Sequence, residues 1–186
     1  MTTKLLKKGA TYDDLRDVED HFVAEMFDGE LYASPRPALP HAHASSALGA
    51  KIFGSFHRSG AGGWAILYEP ELHFGNDVLV PDLAGWRRER LPRVPADAYL
   101  TLAPDWVCEV LSASTETLDR GKKLRVYARE NVGHCWLVDP VRQALEVLAR
   151  ESSNWMLLNR HEGQARVRVV PFGEVELELE LGTLWI

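Results

Sequence analysis

A strand spelled Trp106-Val-Cys-Glu-Val-Leu111 has no side that belongs in water. Side chains alternate between the two sides of a strand, and here apolar residues fall on both. Such a strand reads as a buried central member of a sheet. Cys135–Val138 repeats the pattern and is closed by the Asp139-Pro140 turn. Between the two, Thr115 is placed to cap a helix from about Glu116 to Glu130. Leu124, Tyr127 and Ala128 share its inner face, and Asn131-Val-Gly133 is its stop signal.

The rest of the chain fits around that centre. Thr11-Tyr-Asp-Asp14 resembles a capping box opening a short helix to about Asp20. Val23–Phe27 and Glu30–Ser34 flank Asp28-Gly29, a pair suited to a type I′ hairpin turn. A helix is expected from about His41 to Arg58, with Leu48, Ile52 and Phe56 at four-residue spacing and Gly60-Ala-Gly-Gly63 at its end. Strands are expected at Trp64–Tyr68, Glu71–Phe74, Val78–Trp86, Ala144–Leu148, Trp155–Asn159, Val167–Val170 and Val175–Leu181. With no repeat and no linker, residues 1–186 read as a single α/β domain, one mixed sheet flanked by helices.

Composition narrows the class of function. Hydrophobic residues make up 46% and charged residues 26%, the balance of a globular protein. No stretch reaches the roughly 20 apolar residues that span a bilayer, and the basic start lacks the apolar run of a signal peptide. Two cysteines, Cys108 and Cys135, each inside an apolar run, suggest buried free thiols. A cytoplasmic protein without a membrane anchor is the expectation. The net charge of −6 argues mildly against tight nucleic-acid binding. The excess acid gathers at Glu174, Glu176, Glu178 and Glu180, while arginines cluster at Arg87–Arg93 and Arg120–Arg129.

The exception inside the central strand is Glu109, on the same side as Val107 and Leu111. A carboxylate there is costly unless paired, hydrogen-bonded or bound to a metal. Asp82, after Val78-Leu-Val-Pro81, has a similar setting. Acids on neighbouring strands could chelate Mg²⁺ or Mn²⁺, which prefer oxygen ligands. Equally, each could cap a backbone N–H group or pair with an arginine. His41-Ala-His43 invites zinc, but residues two apart on a helix diverge, and His41 is expected near the active cleft instead. Trp106 and Cys108 should face away from Glu109.

Pro81-Asp82, Glu109-Val110-Leu111-Ser112-x-Ser114-Thr115, Asp119-Arg120-Gly121-x-Lys123 with Tyr127, and Trp136-Leu137-Val138-Asp139-Pro140 together carry a resemblance. Glu25, Asp28-Gly29-Glu30-Leu31, Ser34-Pro35 and His41 extend it upstream. The pattern resembles the Uma-type putative restriction endonucleases, a branch of the PD-(D/E)XK nuclease superfamily. The resemblance implies a restriction-endonuclease-like core in which Asp82 and Glu109 hold the metal, with the backbone carbonyl of Val110 as a further ligand. It also implies that Leu111 stands where the superfamily usually has a lysine, and that Lys123 supplies the ammonium from the following helix. Without it, Lys123 reads as an ordinary outward ion pair with Asp119, and Lys122 is an alternative. Glu25 is an auxiliary candidate, with Glu69 and Glu71 weaker ones.

These readings converge on a Mg²⁺- or Mn²⁺-dependent endonuclease hydrolysing DNA phosphodiesters. Lys123 would act beside the metal, and the two arginine clusters would contact phosphates. The alternative is a non-catalytic interaction module that keeps the nuclease fold. The alternating acidic strand and the six tryptophans suggest surplus apolar surface and hence a two-fold homodimer.

Overall fold

The computed structural model describes residues 2–57, 63–172 and 178–186. The central six-stranded sheet has the order β11 (Asn154–Glu162), β10 (Ala144–Glu151), β9 (His134–Asp139), β8 (Trp106–Val110), β7 (Leu83–Arg87), β4 (Trp64–Tyr68). It is mixed: β8 and β9 run parallel, and every other neighbouring pair is antiparallel. A parallel pair needs a crossover connection. Here it is the helical run of α3 (Glu116–Leu118), a π-helical turn (Asp119–Lys123) and α4 (Leu124–Arg129).

Both sides of β8 are covered, as its sequence demands. On one, Trp106, Cys108 and Val110 pack with Trp64, Trp136 and Phe172 and with Leu48, Ile52 and Phe56 of α2 (Leu39–Phe56). On the other, Val107 and Leu111 pack with Trp86, Val126 and Tyr127. Each fully buried Leu, Ile or Phe contributes about 1.5–3 kcal/mol relative to exposure.

A second, antiparallel sheet has the order β1 (Lys4–Lys8), β3 (Glu30–Pro35), β2 (Phe22–Phe27), β6 (Asp77–Leu79), β5 (Leu72–Phe74). Its Phe27, Leu72, Phe74 and Leu79 join the core on the Leu111 side of the central sheet. The β2–β3 hairpin turns through Asp28 and Gly29 at φ 53° and 73°, the left-handed pair that a type I′ turn requires. α1 (Tyr12–Arg16) starts from a complete Thr11–Asp14 capping box.

The structure departs from the sequence reading in several places. The expected strand Val78–Trp86 is two strands in different sheets, β6 and β7. Pro81 lacks the N–H that would continue a ladder, and Val80-Pro81-Asp82 carries the chain between the sheets. β1, Lys-Leu-Leu-Lys-Lys, went unnoticed because all five residues are exposed, so no buried face imposes an alternation. α2 begins at Leu39, with Pro40 in its first turn. The signals at Gly60–Gly62 lie outside the described residues. So do residues 175–177 of the expected strand Val175–Leu181, of which Leu179–Glu180 is seen as β13, paired with β12 (Arg166–Val167). Trp64, Trp86, Trp106, Trp136 and Trp185 are all buried, so these tryptophans fill the core rather than cover a partner.

Candidate functional site

The chain crossing between the sheets sets Asp82 beside the end of β8. Its Oδ2 accepts a 2.7 Å hydrogen bond from the backbone N–H of Val110. Its Oδ1 lies 3.1 Å from Nε2 of His41, which the first turn of α2 directs inward. Glu109, one residue before Val110, lines the same depression and is 1% exposed. The alternation read from β8 therefore holds: Glu109 sits on the Leu111 side, with Trp106 and Cys108 behind it.

Lys123 reaches Glu109 from the helical run. Its Nζ donates to Oε2 of Glu109 at 3.0 Å and to the carbonyl of Val80 at 3.3 Å. It also lies 3.0 Å from Oε1 of Glu25 and 3.4 Å from Oδ1 of Asp119. The helical run passes through a π turn at this point. Leu124 N–H bonds to the carbonyl of Asp119, five residues back. In an α-helix each residue advances 100°, so a step of four overshoots one turn by 40°. An offset of that size leaves Asp119 and Lys123, four residues apart, as neighbours on one face. One turn on, Tyr127 donates its hydroxyl to Oε1 of Glu109 at 2.5 Å.

The electrostatics follow from crowding acids around one ammonium. Burial works against the charge of Lys123, but Glu109, Glu25, Asp119 and Asp82 outweigh it and hold its pKa well above the ordinary value. Burial pushes Glu109 well above the usual carboxylate range, against the pull of Lys123. Burial likewise raises Asp119, to about 6, with Lys123 again opposing. His41 loses by burial but gains more from Asp82, so its pKa stands above its usual value. The acids Glu25, Asp82, Glu109 and Asp119 line the depression with one lysine, so the cluster is short of positive charge when they are ionised.

That shortage, and an all-oxygen donor set, suit a hard divalent cation. Asp119 strengthens the fit, because its buried carboxylate is only loosely held, Oδ1 by the 3.4 Å ion pair to Lys123 and the group by the nearby Thr115 hydroxyl. As the side chains stand, however, Glu109 and Asp82 are turned onto protein donors. Among the described residues no three His, Cys, Asp or Glu side chains converge tightly enough to hold a metal ion.

The structure brings together Asp82, Glu109, Val110, Lys123, Glu25 and His41. It corrects the outward reading of Lys123: the Asp119 pair exists, but both partners are buried and face the cluster. Lys122 instead pairs with Glu30 at 3.1 Å, away from Glu109. Leu111 is core. His43 is half-buried, with its ring 3.1 Å from the carbonyl of Thr183, so His41 and His43 form no zinc pair. Glu71 is held by Tyr12 and His73, whereas Glu69 lines the depression from an exposed position. The roles of Asp119 and of the Tyr127 hydroxyl were missed, although the spacing 119, 123, 127 was a usable signal for one helix face.

A search of curated proteins found no match. Among solved structures the chain is similar to a putative nuclease belonging to DUF820 from Anabaena variabilis. The two share 25% identity over 94% of this chain and 97% of that one, with a TM-score of 0.74. The Uma2 model, described as putative restriction endonuclease, matches residues 10–182, and with a match of that extent the chain belongs to the Uma2 family.

Proposed function

We propose that the protein is a metal-dependent endonuclease that hydrolyses DNA phosphodiester bonds, with Asp82, Glu109 and Lys123 as its working groups. The observation that carries this is the enclosure of Lys123 and Glu109 with Asp82 in one depression, at the end of a central strand. Asp82, Glu109 and the carbonyl of Val110 would hold Mg²⁺ or Mn²⁺, which when bound supplies a water of lowered pKa and a Lewis acid for the phosphate.

The protein groups then have distinct tasks. Val110 N–H and His41 fix the two oxygens of Asp82. Tyr127 fixes one oxygen of Glu109 and Lys123 the other. In the absence of metal the ammonium of Lys123 offsets the surrounding acids. With substrate present it faces the phosphate, where it stabilises the charge that grows as the water oxygen bonds to phosphorus and the ester P–O bond breaks. The non-catalytic module remains the rival, and Leu111 in the core at the usual lysine position is the observation in its favour. Calorimetry separates the two: stoichiometric Mn²⁺ binding abolished by Asp82→Ala supports the enzyme, and a folded protein that takes no Mn²⁺ supports the module.

We also propose a homodimer. With Trp64, Trp86, Trp106, Trp136 and Trp185 buried, the surface we assign to it is the edge strand β11, where Met156, Leu157 and Leu158 are 45%, 53% and 36% exposed. An open, apolar edge of this kind invites pairing.

A further inference from the structure

The depression that holds the acids does not end at them. Val23, Glu69 and Val80 wall both it and a second trench, which runs along α1 and the start of β2. Two arginines, Arg16 and Arg36, line that trench. Arg36 stands between Pro35 and Pro37, which both line the acid-bearing depression, so it marks the junction of the two. Its Nη2 donates to the carbonyl of Asp20 at 2.7 Å, and no carboxylate among the described residues lies within ion-pair distance of it. The contact of Arg16 is a long one, 3.9 Å to the exposed Asp13.

The arginines expected to contact phosphates are differently placed. Arg90 is paired with Asp105, Arg120 with Glu146 and Arg129 with Asp77, each at 2.7 Å. No arginine of Arg87–Arg93 or Arg120–Arg129 lines either the depression or the trench. A phosphodiester drawn toward so acidic a site needs cationic contacts on the neighbouring phosphates, since backbone contacts supply most of the affinity for a nucleic-acid strand. The trench also holds Asp20, Glu69 and Glu71, but Glu71 is engaged by the hydroxyl of Tyr12 at 2.7 Å and by His73 at 2.6 Å.

We infer that this trench seats the sugar–phosphate backbone flanking the scissile bond, with Arg16 and Arg36 as its phosphate contacts. The inference rests on the nuclease reading above and adds the path of the strand to it.

The test uses the full chain, a fluorescein-labelled single-stranded oligodeoxynucleotide in EDTA, and anisotropy titrations over a range of salt. Arg16→Ala/Arg36→Ala is compared with wild type and with Arg142→Ala/Arg160→Ala, which removes equal charge elsewhere. The trench variant should bind about tenfold more weakly or worse, the scale of one charge-assisted hydrogen bond. Its log–log salt slope should drop by about 1.4, or 0.7 for each contact to a single strand. The control variant should keep the wild-type slope, and all three proteins should take up Mn²⁺ alike in calorimetry. Wild-type affinity and slope in the trench variant, or an equal loss in the control, would overturn the assignment while leaving a Mn²⁺-binding site intact. Absence of Mn²⁺ uptake by wild type would instead sink the nuclease reading itself.

Discussion

Tyr127 holds Oε1 of Glu109 with its hydroxyl while Lys123, one turn earlier, holds Oε2, so neither oxygen of the buried acid is left to solvent. The two donors act differently. The ammonium competes with a metal for Glu109, whereas the phenol orients the carboxylate. Tyr127→Phe should keep the fold and weaken Mn²⁺ binding by roughly 10–100-fold, the usual cost of losing a group that orients a ligand. Calorimetry showing unchanged affinity would mean that Glu109 needs no such support.

Lys123→Ala has two expected consequences. Mn²⁺-dependent cleavage should fall by roughly 10²-fold or more, as when one electrostatic stabiliser is lost. The melting temperature should also fall, because Glu25, Glu109 and Asp119 lose their shared cation, and breaking a buried pair typically costs about 3–5 kcal/mol. Lys122→Ala, whose partner Glu30 is at the surface, should change stability by no more than about 1 kcal/mol and leave cleavage intact. Cleavage that survives Lys123→Ala but not Lys122→Ala would reassign the ammonium.

The raised pKa of Asp119, about 6 when folded, gives a signed pH effect. An unfolded aspartate titrates near about 3.9, so between roughly pH 4 and 6 the folded chain keeps a proton that the unfolded chain has released. Stability from this group is therefore greatest below pH 4, declines as pH rises toward 6, and is flat above. Denaturant titrations should show the stability of Asp119→Asn relative to wild type increasing from pH 4 to 6 and then levelling. A difference that declines over that range would show that the ionised Asp119 is needed by Lys123.

Self-association is expected through β11. Sedimentation at tens of micromolar should show a dimer, and Leu157→Lys, a charge on the exposed edge, should shift it toward monomer. A wild-type monomer at that concentration removes the claim.

The parts of this fold legible in the sequence were those where burial dictates pattern. β8 and β9 are apolar on both sides, and the core spacing of α2 and the Asp28-Gly29 turn each carry a local physical demand. β1 carries none, since nothing along it is buried. The break at Pro81 was visible as a residue but not as a change of sheet, because sheet membership depends on partners far away in sequence. At the site, Asp82 and Glu109 stood out as charges in apolar surroundings. The inward turn of Asp119 did not, because an acid four residues before a lysine on a helix has an ordinary surface explanation, and which face of the helix packs inward depends on the sheet it covers.

The account stands most directly on whether Asp82 carries metal-dependent hydrolysis. A plasmid cleavage assay with purified full-length protein, run with Mn²⁺, with Mg²⁺ and with EDTA, measures it. The account predicts cleavage by wild type with metal only, and none by Asp82→Asn, which keeps an acceptor for Val110 N–H but loses the charge. Cleavage by Asp82→Asn at the wild-type rate, or cleavage that persists in EDTA, would contradict it.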